Sequence, residues 1–261
     1  VAPLLETGKI SGIRFSTRPD TVTPGSLDRL KGYPIDTVEL GAQSMDDSVL
    51  VRVRRGHGAA ETDAAVNLLK ERRIGVGLQI MVGLPGEDRT SCLDTGHRVV
   101  RLAPDFVRIY PTVVISGSLL AEWFRKGEYL PLTLEEAVFR AKSLYLLFES
   151  NTIRVVRMGL QPNREFEDGG SLIAGPYHPS FGELVLSEIF FDKAKAALNA
   201  AAPPIRACVL TVHPRSASKM RGSANRNLKK LRVSFALDSI RLLTDPAVAE
   251  DSVSIRCSHL C

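Results

Sequence analysis

Apolar, strand-like segments alternate with helix-like segments along most of the chain, and this alternation constrains the fold more than any other feature. The strand-like segments are Ile10–Ser16, Thr37–Ala42, Gly75–Val82, Phe106–Val114 and Ile153–Met158. They are apolar along most of their length, which is typical of parallel strands with both faces covered. Strands separated by helices indicate βαβ units. The sequence therefore predicts an α/β fold, either an open doubly wound sheet or a (β/α) barrel.

The segments between these strands have the periodicity of helices. Thr133 followed by Glu136 is a capping signal in front of the longest of them. The predicted helices are a short one opened by Pro24-Gly25-Ser26, then Asp46–Val53, Ala59–Arg72, Glu87–Leu102, Leu119–Phe124 and Thr133–Glu149.

Beyond Gln161 the pattern changes, and residues Asn163–Gly170 are predicted to form a polar surface loop. We therefore divide the chain into a core, residues 1–162, and a C-terminal α/β extension, residues 163–261. The elements predicted in the extension are a helix at Phe181–Ala200, strands at Arg206–Val212 and Val233–Ala236, a short helix at Leu237–Leu243 and a weak strand at Val253–Arg256.

The composition excludes several classes of protein. Hydrophobic residues make up 44% and charged residues 24%, which are globular values and exclude disorder, collagen and coiled coil. The formal net charge of +5 permits an RNA partner but does not require one, and the basic segment Lys219–Lys230 lacks the aromatic residues that stack on bases. No apolar run is long enough to span a bilayer and no signal-peptide pattern is visible, so we predict a cytoplasmic protein with no membrane partner.

The cysteines and histidines predict no metal site. The cysteines are Cys92, Cys208, Cys257 and Cys261, too few for a disulfide scaffold and without C-x-x-C spacing. No two histidines have metal-ligand spacing on a helix. Neither a G-x-G-x-x-G after a strand nor a P-loop motif is present, which disfavours dinucleotide and P-loop nucleotide binding.

Polar residues, glycines and prolines cluster where the predicted strands end, the edge at which parallel α/β sheets bind ligands. Glu39, Gln43 and Arg55 have the chemistry to hydrogen-bond a ribose and pair with a carboxylate, and Gly83 and Gly86 allow the backbone to approach a ligand. Each residue alone is more often a helix cap or a turn residue. Several such strand ends in series predict a ligand site.

These strand-end segments resemble the radical S-adenosylmethionine (radical SAM) superfamily, in the branch of the Elongator catalytic subunit and the oxygen-independent coproporphyrinogen oxidases. The resemblance covers about residues 10 to 190, with its motifs in the family's order and spacing. The strings that carry it are Ser16–Asp20, Val38–Ser44, Arg54–His57, Ile80–Gly86, Phe106–Pro111, Gly127–Tyr129, Pro131–Val138, Arg157–Leu160, Ala174–Pro179 and Phe181–Val185.

The resemblance implies a partial (β/α)₆ TIM-like barrel. Such enzymes hold a [4Fe–4S] cluster on a C-x₃-C-x₂-C motif, accept an electron from a donor protein, and cleave S-adenosylmethionine to a 5′-deoxyadenosyl radical that abstracts hydrogen. Aligned with the family, the chain begins just before the third barrel strand, so we expect it to lack the first two strands, the cluster motif and the Gly-Gly motif. Cys92 stands alone, and Cys257 with Cys261 provides only two thiolates, so none of them is expected to replace the motif.

The resemblance also implies which residues bind the cofactor, while no catalytic residue is assigned. Together with Glu39 and Gly83, which come from the strand-end chemistry above, the predicted set is Ser16, Glu39, Gln43, Arg55, Gln79, Gly83, Tyr110 and Thr112. Gln43 matches a ribose-contacting glutamine, and Arg55 an arginine that pairs with the S-adenosylmethionine carboxylate. Ser16 stands where relatives often have an acidic residue, and Gln79 where the porphyrinogen branch has aspartate. The tyrosine and threonine of the set occupy positions near the adenine.

Three functional hypotheses follow. The first is a radical SAM enzyme acting on a tRNA base, with this chain inactive by itself because it lacks the cluster motif. The second is a non-catalytic nucleotide- or RNA-binding module that keeps a degenerate barrel. The third, an ordinary (β/α) barrel enzyme with a phosphate-bearing substrate, is disfavoured because no phosphate nest is found at a late strand. A C-x₃-C-x₂-C motif encoded directly upstream would favour the first hypothesis, and a start codon at residue 1 the second.

Overall fold

The structure, a computed structural model, describes residues 4, 7–161, 166, 170–201 and 205–258. The chain divides into two compact units, Val1–Pro179 and Ser180–Cys261. The functional boundary expected after residue 162 stays a prediction, because compactness and function need not divide a chain at the same residue.

The first unit is built on a five-stranded parallel sheet. The strands of the whole unit are β1 (Ile13–Thr17), β2 (Ile35–Gln43), β3 (Gly75–Val82), β4 (Phe106–Pro111), β5 (Val114–Ile115), β6 (Arg154–Met158) and β7 (Leu172–Ala174). Its helices are α1 (Pro24–Asp28), α2 (Asp47–Arg52), α3 (Ala59–Glu71), α4 (Arg89–Leu102), α5 (Leu119–Arg125) and α6 (Leu134–Ser150). The parallel sheet has the order β1-β2-β3-β4-β6, and β5 pairs with β7 in a separate two-stranded sheet. The predicted α/β fold class is confirmed.

Side-chain caps fix where the helices of this unit begin. Asp46 accepts a hydrogen bond from the Ser48 amide at 2.8 Å in front of α2. Thr133 accepts one from the Glu136 amide at 3.2 Å in front of α6, as its capping signal predicts. Asp88 caps α4 through the Ser91 amide, so this helix begins two residues later than the sequence predicts. Each cap satisfies an amide that has no partner inside the helix.

One face of the parallel sheet forms the core of the first unit. On β3, Val76, Leu78, Ile80 and Val82 are fully buried. Because successive side chains point to opposite faces, the residues between them project to the other side. Burying each of these aliphatic side chains stabilises the fold by about 2 kcal/mol. The sheet therefore has one apolar face packed on helices and one face left for polar residues.

The loop that follows β3 is fastened to α6 by a buried ion pair. Glu87, whose side chain is 2% exposed, accepts hydrogen bonds from the Gly83 amide at 2.7 Å and from Arg140 Nη1 at 3.0 Å. Burial raises the pKa of Glu87 to about 7, and the opposing effects of the Gly83 amide and Arg140 are smaller. Arg140 also pairs with Glu136, which a second arginine, Arg89, contacts. This loop is thus held by a charge network whose protonation changes near neutral pH.

The second unit is also α/β, as predicted. It contains helices α7 (Phe181–Ala200), α8 (Ala217–Arg221) and α9 (Arg226–Ser234) and strands β8 (Ala207–Val212), β9 (Ser239–Thr244) and β10 (Val253–Ser258). The sheet order is β10-β8-β9, with β8 parallel to β9 and antiparallel to β10. Residues of the strands and of all three helices share one core, including Phe190, Leu210, Met220 and Leu231.

Two short elements predicted for this unit are wrong. The sequence predicts a strand at Val233–Ala236, but α9 continues to Ser234 because the fully buried Leu231 anchors it to the core. It predicts a helix at Leu237–Leu243, where the structure has β9. Ala236 adopts a left-handed φ of 49°, which ends the helical turn and redirects the chain into the strand.

Most of the polar loop predicted at 163–170 lies outside the described residues. Within the described ranges, no helix combines the length and apolarity needed to cross a bilayer.

The raised pKa of Glu87 predicts how stability changes with pH. In the unfolded chain a glutamate titrates near pH 4.3. The stability contributed by protonated Glu87 is therefore fully present below that value and is lost as the pH rises through about 7. From this group we expect the free energy of unfolding to fall by about 2 kcal/mol between about pH 5 and 8, and to stay nearly level in Glu87→Gln, measured by urea unfolding.

Glu136→Gln is the matched control for that experiment. Arg89, and after it Arg140, lower the pKa of Glu136 to about 2, so its contribution is present above pH 4.3 and is lost as the pH falls through about 2. This variant should keep the wild-type slope between about pH 5 and 8. An unchanged slope in Glu87→Gln would contradict the assignment to Glu87.

Candidate functional site

An irregularity at the end of β2 brings two glutamine side chains together. The register between β2 and β3 shifts between Gly41 and Gln43, and Gln43 has a left-handed φ of 67°. Holding a non-glycine residue in this left-handed conformation costs about 1 kcal/mol or more of folding free energy, which the surrounding contacts must offset. Gln43 is 7% exposed, and its Oε1 accepts a hydrogen bond from Gln79 Nε2 at 3.0 Å. The predicted residues Gln43 and Gln79 therefore form one amide pair at the strand ends.

Arg55 reaches the same edge from the segment after α2. Its Nη2 donates to the Gly41 carbonyl oxygen at 3.0 Å, and its Nε donates to His57 Nε2 at 3.2 Å. Burial and, next, the charge of Arg18 lower the pKa of Arg55, although a guanidinium keeps its charge in proteins. The hydrogen bond from Arg55 places the proton of neutral His57 on Nδ1, which lies 3.3 Å from the Gly58 carbonyl oxygen.

The charge of Arg55 is thus held by neutral groups. None of the ion pairs formed in the described ranges includes Arg55, in contrast to Arg18, which pairs with Asp20 at 2.8 Å. A partly buried cation whose hydrogen-bond acceptors are neutral can bind an anion such as a carboxylate.

Gly41 allows these groups to pack so closely. A Cβ atom at this position would lie 2.6 Å from Gln43 Nε2 and 2.9 Å from Arg55 Nη2. Any other residue would displace one or both side chains. Gly41 therefore belongs to the site, although the strand-end pattern alone does not single it out.

Glu39 precedes Gly41 on β2 and is neutralised by two arginines. Its side chain is almost fully buried, and Oε2 lies 2.5 Å from Arg14 Nη2 and 3.3 Å from Arg108 Nε. The Arg108 contact lacks hydrogen-bond geometry, so we treat it as an ion pair only. The register pairs Ser16 of β1 with Glu39, which puts the predicted serine on the same face. Oε1 of Glu39 takes no hydrogen bond from the described residues.

The end of β4 supplies an unpaired hydroxyl beside a cavity. Thr112 is 3% exposed, its amide donates to the Val82 carbonyl oxygen at 2.9 Å, and its Oγ1 has no partner within the described ranges. Leaving a buried hydroxyl unpaired costs about 1–3 kcal/mol. Tyr110, two residues earlier, accepts a hydrogen bond from Arg108 Nη1 at 3.3 Å.

The cavity beside Thr112 is mainly apolar and has a volume of about 230 Å³. Its other lining residues are Val53, Met81, Leu84, Pro85, Val113, Ile115, Ser118, Leu119, Leu120 and Trp123. An apolar cavity of this volume can hold a flat heteroaromatic ring.

Gly83 lies near this edge, but its amide and its carbonyl oxygen already have hydrogen-bond partners within the protein. Its amide donates to Glu87, and its carbonyl oxygen accepts from the Tyr129 hydroxyl at 2.7 Å. Ligand contact at Gly83 stays a prediction, as it does for the other residues of the set.

The structure thus groups six of the eight predicted residues in three places. Gln43, Gln79 and Arg55 lie around Gly41, Glu39 and Ser16 lie deeper on the same face, and Thr112 faces the cavity. Sequence reasoning missed Arg14 and Arg108, although each stands two residues before a predicted site residue on the same strand face. It also missed Glu87, whose partner Arg140 is 53 residues away in sequence.

The described residues do not fit a [4Fe–4S] cluster. The described residues include no group of three His, Cys, Asp or Glu side chains that would hold a metal ion. Cys92 is buried on α4, and burial raises the pKa of its thiol far above the usual range. The sequence contains no C-x₃-C-x₂-C motif. The residues that the resemblance implies for S-adenosylmethionine binding lie at the strand ends, and their role stays a prediction.

Two family models match the chain. The Radical SAM superfamily model matches residues 4–99, and the Radical_SAM C-terminal domain model matches residues 104–190. The chain is 34% identical to the tRNA uridine(34) acetyltransferase of Dehalococcoides mccartyi over 46% of this chain and 27% of that protein. It is 34% identical to protein YhcC of Escherichia coli over 51% of this chain and 44% of that protein. The chain therefore spans less than half the length of these relatives.

A solved structure supports the same assignment. The archaeal Methanocaldococcus infernus Elp3 with an N-terminal deletion matches 72% of this chain and 42% of that chain, with a TM-score of 0.63 and 26% identity. The family matches, the five-stranded parallel sheet and this similarity agree with the fold that the strand-end motifs predict. The chain belongs to the radical SAM superfamily.

Proposed function

We propose that the strand-end edge of the first unit binds S-adenosylmethionine, and that the chain is part of a radical SAM enzyme. The observation that carries the proposal is the cluster around Gly41, where the Gln43–Gln79 amide pair meets the charge of Arg55. Membership of the superfamily makes S-adenosylmethionine the ligand to expect at such a cluster.

The chemistry of the groups matches the parts of this ligand. Arg55, without an acidic partner, pairs with the carboxylate. The amides of Gln43 and Gln79 donate to and accept from the ribose hydroxyls. The mainly apolar cavity beside Thr112 takes the adenine. In this superfamily S-adenosylmethionine supplies the 5′-deoxyadenosyl group that abstracts hydrogen, and these residues bind and orient it.

We further propose RNA as the substrate, with a tRNA base as the target. Relatives of the chain are named for acetylation of tRNA uridine 34. The register places Arg154 beside Phe106 and Arg157 beside Arg108, so both share the sheet face that carries Arg108. Glu39 is the acidic residue that ion-pairs on this face within the described ranges, so arginines outnumber carboxylates there. Excess positive charge favours a phosphate-bearing substrate.

The remaining parts of the proposal follow from radical SAM chemistry. The reaction needs one electron, for which we propose a donor protein, and we place the enzyme in the cytoplasm with the tRNA. The alternative hypothesis, a non-catalytic nucleotide- or RNA-binding module, predicts that S-adenosylmethionine binds but is not cleaved.

Arg55→Gln tests the binding role directly. Losing a charged hydrogen bond to the carboxylate should weaken S-adenosylmethionine binding by about tenfold or more, measured by isothermal titration calorimetry on the full chain. Arg101→Gln is the control. It removes the same charge, but from an exposed residue in the last turn of α4. Equal affinity of Arg55→Gln and wild type would refute the assignment.

The natural gene product tests the catalytic and substrate parts. Incubated anaerobically with iron, sulfide, a reductant and S-adenosylmethionine, it should release 5′-deoxyadenosine, and added tRNA should increase the release. The double variant Arg154→Gln/Arg157→Gln should keep the basal release and lose most of the stimulation, because it removes cations and no predicted cofactor-binding residue. Binding without any 5′-deoxyadenosine would favour the non-catalytic module, and stimulation unchanged in the double variant would contradict the RNA-binding face.

A further inference from the structure

Two cysteines of the second unit lie directly opposite each other on neighbouring strands. Cys208 of β8 and Cys257 of β10 are register partners in an antiparallel pair. Cys208 is 2% exposed, and Cys257 is partly buried and packs against the same core. Both are free thiols in the structure. Neither takes part in the function proposed for the first unit.

Their register is compatible with the Cα separation that a disulfide requires. Directly opposite residues in an antiparallel pair have Cα atoms about 4.5 or 5.5 Å apart, depending on the hydrogen-bonding position. Disulfides span Cα distances of about 4.4–6.8 Å, so both kinds of pair qualify. Cys208 is two residues from the buried Leu210 on β8, and Cys257 is two residues from Ile255 on β10. Because residues two apart on a strand share a face, both thiols are on the core side of the sheet.

We propose that Cys208 and Cys257 form a site of reversible covalent modification, at which a disulfide oxidant such as oxidised glutathione converts the two thiols into an intramolecular disulfide. The inference is independent of S-adenosylmethionine binding, since it concerns residues 180–261 only. Cys92, buried in the first unit on α4, is not part of the site, and Cys261 lies outside the described residues.

The more exposed thiol begins the reaction. The Cys257 thiolate, on the edge strand β10, attacks one sulfur of oxidised glutathione, forming a mixed disulfide and releasing one glutathione thiolate. Cys208 then loses its proton and attacks Cys257 Sγ, which forms the Cys208–Cys257 bond and releases the second glutathione. The protein loses two electrons and two protons, and the glutathione disulfide is reduced to two thiols.

The second step is expected to be the slow one. Burial and, after it, the nearby Cys257 raise the pKa of Cys208 to about 12. The thiolate is the attacking species, so closure should speed up as the pH rises. Once closed, the bond links the edge strand β10 to the central strand β8 and encloses the chain between them, which carries α8, α9 and β9.

Oxidation of the full chain with oxidised glutathione, in the Cys261→Ser background, tests the proposal. We expect the intact mass to fall by about 2 Da, with a peptide containing Cys208 linked to one containing Cys257 after digestion, and dithiothreitol to reverse both. The unfolding midpoint of the second unit should rise by about 5 °C or more in the oxidised form, because the crosslink restricts the unfolded chain.

Two variants decide the outcome. Cys257→Ser, at the more exposed position, should abolish the mass loss and the rise in midpoint, whereas Cys92→Ser should leave both unchanged. Glutathione adducts that never resolve, an unchanged mass, or a disulfide that includes Cys92 would each overturn the proposal. S-adenosylmethionine affinity is measured on the same samples, so failure of one proposal is distinguishable from failure of the other.

Discussion

The complete burial of one face of the three central strands, β2, β3 and β4, is the constraint on which the rest of the first unit depends. Val76, Leu78 and Ile80 are sealed against helices, so Gln79 must project to the opposite face. A register slip of one residue would expose the core and bury the polar residues, at a cost of many kcal/mol. The same packing that stabilises the fold therefore fixes which side chains line the site. The parallel order of the strands then brings their polar ends to one edge.

At that edge the two kinds of charge are treated differently. Glu39 is neutralised by Arg14 and Arg108, whereas Arg55 donates its hydrogen bonds to a carbonyl oxygen and an imidazole and forms no ion pair within the described ranges. This arrangement supports the proposal that an anionic group binds beside Gly41. Burial also affects a charged group in the loop after β3. It raises the pKa of Glu87, next to Arg140, to about 7, so the stability of this loop depends on pH close to neutrality.

The sequence predicts the parallel strands, the longer helices and the cluster of polar strand ends, because hydrophobic periodicity and strand-end polarity are local signals. It does not predict the kink at Gln43, because a left-handed glutamine is stabilised by surroundings that come from other strands. The sequence also does not predict the Glu87–Arg140 pair, because the two residues are 53 positions apart. The order of α9 and β9 is mispredicted because the turn at Ala236 requires a backbone conformation that alanine rarely adopts.

The central claim, that the strand ends of β2, β3 and β4 hold S-adenosylmethionine with its adenine in the cavity beside Thr112, is tested most directly by photoaffinity labelling. The full chain is irradiated with 8-azido-S-adenosylmethionine, digested and mapped by mass spectrometry. The account predicts labelling within residues 106–125, which include Thr112 and Trp123, and suppression of that labelling by unlabelled S-adenosylmethionine. Labelling confined to residues 180–261, or labelling that unlabelled S-adenosylmethionine does not suppress, would contradict it.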